Sequence, residues 1–242
     1  MPFFHAGPAP RHPGPRRGSL RDGLDLTPGM TVGLFGGSFN PAHDGHAHVA
    51  ETALRRLGLD RVVWMVSPQN PLKSSAETAS LEERMASARK VARLASTGPQ
   101  MIISDVETRM GTRWTIDTLR ALVDRHPGVH FVWLMGSDNL ENFHRWRGWT
   151  DIMRLMPMAV IARPGSMLDS RNAPAAERFA ASRVPPQEAR LLAYMPAPAW
   201  TYLTAPLNPR SSSAIRAQLK ARHQALNPPL RRIQRPGDVL PS

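Results

Sequence analysis

Cysteine is absent from all 242 residues. That excludes a disulfide scaffold, a thiolate zinc site and a cysteine nucleophile, and it fits a reducing compartment such as the cytoplasm. Long hydrophobic runs are missing too. No apolar stretch approaches the ~18 residues of a membrane span, so no membrane attachment is expected. Pro and Arg break every short apolar stretch before Met30, which is unlike a signal peptide. Lysine is scarce, three residues against 28 arginines. What is present is 41% hydrophobic residues, 24 Pro and a formal net charge of +12. The first is enough for a core and rules out wholesale disorder. The charge points to anionic partners: nucleic acid, a membrane surface or phosphorylated small molecules.

Position decides among these. Residues 1–28 carry net +2 with six Pro and four Gly, residues 209–242 carry +6, and 29–208 carry only +4. Residues 1–28 have little apolar surface to bury and read as a disordered leader. After Leu226, Asn227-Pro228-Pro229 and Arg235-Pro236-Gly237 are breakers among Arg231, Arg232 and Arg235, so 226–242 reads as a flexible basic tail. One folded domain over 29–225 remains, and its modest charge points to phosphates on small molecules rather than to nucleic acid.

Within that domain the apolar runs Thr31–Phe35, Arg61–Ser67, Met101–Val106, Val129–Met135, Met158–Ala162 and Trp200–Thr204 read as strands. Val49, Ala50, Ala53, Leu54 and Leu57 recur at helical spacing before Gly58. Ser80-Leu81-Glu82-Glu83 has capping-box spacing and opens a helix to about Leu94. Thr115–Arg125 and Ser212–Arg222 give two more helices, while 163–198, with six Pro, gives no clear pattern. Strands alternating with helices predict an α/β fold, a parallel sheet covered on both faces. Ligands in such sheets sit beyond the carboxyl ends of the strands.

The first strand runs into Gly36-Gly37-Ser38-Phe39-Asn40-Pro41-Ala42-His43-Asp44-Gly45-His46. Two glycines let backbone approach a ligand closely, and the helix that follows brings its positive end to the same place. Imidazoles three residues apart there can both donate to phosphate oxygens. A metal site from His43, Asp44, His46 and His48 is the competing reading. Later strand ends carry Lys73, the segment Thr112-Arg113-Trp114-Thr115, and Gly136-Ser137-Asp138 with Phe143, Trp146 and Trp149 downstream. Thr112 or Thr115 would serve as an ordinary helix cap. Asp138 suits either a cap or a ribose hydroxyl, and Phe143 and Trp149 suit the core. Arg210-Ser211-Ser212-Ser213-Ala214-Ile215-Arg216 is either a serine N-cap or a triphosphate cradle with an Arg one turn in.

The first turn resembles the H-x-G-H signature of the nucleotidylyltransferase superfamily, and its longer form G-G-x-F-D-P-x-H-x-G-H resembles the nicotinate-nucleotide adenylyltransferases. Asn40 stands where that pattern has Asp. The resemblance spans about residues 31–220 and implies a Rossmann-like doubly wound parallel sheet. It implies transfer of AMP from ATP to nicotinate mononucleotide, with Mg²⁺ bound through the ATP phosphates. By resemblance Gly36, Gly37, Ser38, Phe39, His43, His46, Gly136, Asp138, Ser212, Ser213 and Arg216 bind ATP, with His43, His46 and Arg216 catalytic. Lys73, Thr112, Trp114, Thr115 and Trp146 bind the mononucleotide, Trp146 by stacking on the pyridine. The alternatives are another acceptor, phosphopantetheine or nicotinamide mononucleotide, and beyond them a basic nucleic-acid-binding protein.

Overall fold

A computed structural model describes residues 22–68, 79–162 and 173–204. The elements run β1 (Thr31–Gly37), α1 (Asp44–Leu57), β2 (Arg61–Val66), α2 (Leu81–Leu94), β3 (Met101–Ser104), α3 (Val106–Met110) and α4 (Thr115–Arg125). They continue with β4 (His130–Gly136), α5 (Ser137–Phe143), α6 (Trp149–Leu155), β5 (Met158–Ile161), α7 (Pro174–Arg178) and β6 (Trp200–Leu203). The six strands form one parallel sheet in the order β3-β2-β1-β4-β5-β6. The chain winds outward from β1 in one direction, then returns to β4 and winds in the other. The switch point between β1 and β4 is where such folds open a ligand crevice.

Alternation along the strands divides the core in two. From β1 and β4, Phe35, Val132 and Leu134 face one layer with α1 and α2; Val32, Leu34, Phe131, Trp133 and Met135 face the other with α4, α5 and α6. Buried on both faces, the strands read as near-continuous apolar runs, which is why all six were legible. The helix α1 stops where expected: Gly58 takes φ +67 and its N–H reaches the carbonyl of Leu54. The helix α2 starts with the expected reciprocal cap, Ser80 Oγ accepting the N–H of Glu83 (3.2 Å) and the Glu83 carboxylate accepting that of Ser80 (2.8 Å).

Three readings change. Residues 22–28, assigned to a disordered leader, are seated on the fold. Leu24 is buried, and Asp22, also buried, meets Nε2 of His126 at 3.1 Å. Composition averaged over 28 residues hid the short Leu24–Leu26 apolar pair that packs there. Part of the uncertain stretch is ordered as well: α7 and 3-10 turns at Ala180–Ser182 and Pro186–Tyr194 lead into β6. Trp200 Nε1 donates to the Phe179 carbonyl (2.7 Å) and Thr201 Oγ1 to that of Val184 (2.9 Å). Proline suits 3-10 turns and extended caps, so its abundance did not mean absence of structure. Third, α3, α5 and α6, at five to seven residues, are too short to show a periodic pattern. The expected last helix at 212–222, residues 163–172 and the basic tail lie outside the described residues.

Candidate active site

The turn after β1 is built by close packing. A Cβ on Gly36 would lie 2.6 Å from Cη2 of Trp133 on β4, so only glycine lets the two strand ends close at the switch point. Phe39 is buried with φ +46, a conformation costly for a bulky residue. Its ring stacks on Trp64 at 5.1 Å and meets His46 edge-on at 4.9 Å. Expected as an ATP contact, Phe39 has its side chain turned into the core, under His46; only its backbone is left for a ligand. Asn40 Oδ1 accepts the N–H of Ala79 (3.3 Å), joining this turn to the approach to α2. Neutral Asn accepts that bond as an Asp would.

His43 and His46 form a capping box of two imidazoles. His43 is the N-cap, its Nδ1 accepting the N–H of Gly45 (3.1 Å), while Nδ1 of His46 accepts the N–H of His43 (3.2 Å). Both rings are buried, with centroids 3.9 Å apart. The helix therefore begins at Asp44, and His43 combines the cap with its expected place in the site. Because both Nδ1 atoms accept, each neutral ring carries its proton on Nε2, on the ring edge away from the backbone. Two N–H donors of fixed tautomer then stand at the positive end of a 14-residue helix. Two metal-binding nitrogens are engaged in the same bonds, and His46 and His48, two apart on a helix, do not share a face. Among the described residues no three His or carboxylate side chains converge.

Beneath the turn, Arg84 donates from Nη1 to the carbonyls of Ser38 (2.9 Å) and Ser67 (2.8 Å) and from Nε to that of Ala79 (3.1 Å). Burial lowers its pKa, yet arginine stays charged at neutral pH. Sequence reasoning missed this residue; a lone Arg in an amphipathic helix gives no signal of burial.

Across the switch point the arrangement differs. The helix α5 begins directly after β4 with Gly136 as N-cap and no side-chain cap. The N-cap position thus belongs to Gly136 and not to Asp138, which is exposed in the first turn beyond the strand. Trp146 is half-buried, edge-on to Trp133 (6.4 Å) and Phe143 (5.5 Å). Trp133 thereby links Gly36 to Trp146, a bridge that one sequence does not reveal. Phe143 is core as expected, and Trp149 is half-buried against Phe179.

The helix α4 starts with Trp114 as N-cap and again no side-chain cap, so neither Thr112 nor Thr115 plays that part. The Thr112 hydroxyl pairs with that of Thr118 (2.6 Å) and its N–H donates to the Glu107 carbonyl (3.1 Å), so Thr112 helps fix the turn before α4. Trp114 is 37% exposed, with the guanidinium carbons of Arg113 and Arg147 each 5.1 Å from its ring centroid. Two residues before Gly111, Arg109 binds Asp105 (2.6 Å), and burial pushes the Glu107 carboxyl up to about 7. Lys73, Ser212, Ser213 and Arg216 lie outside the described residues.

A cytidylyltransferase-like family model matches residues 34–218. A probable nicotinate-nucleotide adenylyltransferase of Caulobacter sp. (strain K31) is 63% identical over 78% of this chain and 98% of that protein. One of Methylorubrum extorquens is 52% identical over 78% of this chain and all of that protein. The chain belongs to the nicotinate-nucleotide adenylyltransferase family. The Plasmodium falciparum nicotinic acid mononucleotide adenylyltransferase, solved in complex with NaAD, shares the fold. Its TM-score is 0.59 at 18% identity, over 78% of this chain and 83% of that one. Among the described residues, no helix is long and apolar enough to cross a membrane.

Proposed function

We propose that this nicotinate-nucleotide adenylyltransferase family member transfers the adenylyl group of ATP to nicotinate mononucleotide, giving nicotinate adenine dinucleotide and pyrophosphate. The observation that carries the reading is the imidazole capping box beyond β1, which presents two Nε2–H donors beside the switch point. A phosphate oxygen of the mononucleotide attacks the α-phosphorus of ATP in line, and the bond from that phosphorus to the bridging oxygen breaks. The nucleophile is already an anion, so no general base is required. Catalysis lies in positioning and in stabilising charge that develops on the departing pyrophosphate. His43 and His46 supply donors to it, and Ser212, Ser213 and Arg216 would hold its far end. Gly36, Gly37 and Ser38 let the triphosphate approach the backbone, while Gly136 and Asp138 place the ribose.

The acceptor would occupy the α4 side, with the N–H group at Thr115 and the rings of Trp114 and Trp146 for the pyridine; by resemblance Lys73 would contact its phosphate. Mg²⁺ would enter bound through the ATP phosphates and would neutralise phosphate charge there. The cytoplasm, where ATP is abundant, is the expected location.

The test is product analysis with ATP and, side by side, nicotinate mononucleotide, its amide and phosphopantetheine. Formation of nicotinate adenine dinucleotide with the highest kcat/KM supports the assignment. A higher value with either other acceptor replaces it.

A further inference from the structure

The buried guanidinium of Arg84 has an architecture that adenylyl transfer, as just set out, does not use. The residue is 1% exposed in the first turn of α2. Its three hydrogen bonds run to the residue after β1, the residue after β2 and the residue before the α2 cap. One side chain therefore fixes three chain ends under the switch-point crevice. Its Nη2 is buried without a hydrogen-bond partner among the described residues, and Arg84 enters none of their ion pairs. Carbonyl dipoles offset part of the charge. A buried cation without a counter-ion is otherwise costly, and the cost falls when an anion docks nearby.

Geometry adds a second consequence. The Ser38 carbonyl and the Phe39 N–H lie on opposite edges of one trans peptide. Anchoring that carbonyl on Arg84 aims the Phe39 N–H away from the guanidinium. It also helps hold Phe39 at φ +46, a strain that persists only where surroundings over-determine it.

Resting on the adenylyl-transfer reading, we propose that Arg84 is a positioning residue that sets the β1 turn in its phosphate-binding conformation and supplies a buried charge balanced by a substrate phosphate. The phosphate belongs either to ATP or to the mononucleotide, and the experiment separates them. In the full chain, Arg84→Gln and Arg84→Lys are compared with wild type by calorimetric affinity for ATP, adenosine, nicotinate mononucleotide and nicotinate riboside. Gln should weaken at least one phosphate-bearing ligand tenfold or more while its nucleoside changes less than twofold. Lys, which keeps the charge but not the fork, should recover part of that loss. A selective effect on ATP or on the mononucleotide says whose phosphate is sensed. Equal weakening of nucleotide and nucleoside, or wild-type affinities in both variants, overturns the proposal. If the Gln variant does not fold, Lys decides alone: ATP or mononucleotide weakened threefold with its nucleoside unchanged supports it, and any other result overturns it. A wild-type protein that binds ATP but makes no dinucleotide defeats the adenylyl-transfer reading and leaves the Arg84 comparison standing.

Discussion

At the start of α1 the first backbone donors are held by side chains, whereas at the start of α4 no side chain caps the helix. The N–H of Gly45 is taken by His43, and the N–H of His43 by His46. What α1 offers a ligand is imidazole Nε2, carried on rigid rings. At α4 the hydroxyls of Thr112 and Thr118 bind each other, and what remains for a ligand is backbone. Both helix starts present positive ends beside the same crevice. One does so through side chains that a substitution can remove, the other through peptide groups that most substitutions leave in place. A phosphate chain passing through a changing transition state needs donors aimed at developing charge. A pyridine carboxylate keeps its charge throughout and needs only a fixed anion seat.

The largest effect should follow His46→Ala. It removes one preorganised donor, lowering kcat by roughly 10²–10³, and it also opens the cap, costing about 1 kcal/mol of stability. Steady-state kinetics and a thermal melt on the same sample read both. A folded variant with near-normal turnover would remove the imidazoles from the mechanism and erase the contrast with α4.

Thr115→Pro and Thr115→Ala sharpen the other half. Thr115 is the first residue of α4, where proline is well tolerated, and Trp114 before it is extended at φ −116, ψ 139, as a residue preceding proline must be. Proline therefore deletes one N–H with little disturbance of the helix. A hydrogen bond to a charged group is worth about 1.5–3 kcal/mol, so KM for nicotinate mononucleotide should rise by roughly tenfold or more, with KM for ATP little changed. The alanine variant should behave as wild type. Equal effects on both substrates, or a loss in the alanine variant, would mean that the side chain and not the peptide group matters here.

This contrast also explains what one sequence could and could not show. The β1 turn was legible because its chemistry is carried by residue types: two glycines and two histidines at fixed spacing before a helix. The sheet was legible because strands buried on both faces are written as apolar runs. The proposed α4 seat comes only from resemblance, since backbone donors leave no mark in the side chains; the residues alone left open a cap at Thr112 or Thr115, and the N-cap is Trp114 instead. Phe39 and Trp133 were obscure for another reason. Their roles, under His46 and between Gly36 and Trp146, are set by contacts between distant segments. Residues 22–28 failed by averaging, because two leucines sufficient to anchor a short segment vanish within a Pro- and Gly-rich count.

The smallest effect concerns the ionisable groups near the two helix starts. Arg84 lies under the β1 turn, while on the α4 side Glu107 holds the Thr112 N–H through its backbone carbonyl (3.1 Å). Desolvation raises the Glu107 carboxyl from an ordinary value near 4.5 to about 7. The linkage has a definite sign. Between pH 4.5 and 7 the folded chain retains a proton that the unfolded chain has released, so stability falls as pH rises through that window. The loss is complete above about pH 7 and amounts to at most about 3–4 kcal/mol at 1.36 kcal/mol per pKa unit. Glu107→Gln has no such proton to lose. Its Tm should match wild type at pH 4.5, where both side chains are neutral, and exceed it by a few degrees at pH 8. Thermal melts of the two proteins at both pH values read the difference. A gap of the same size at pH 4.5 and pH 8 would show that Glu107 is ionised in the fold, and that the ground under α4 is as charged as the ground under α1.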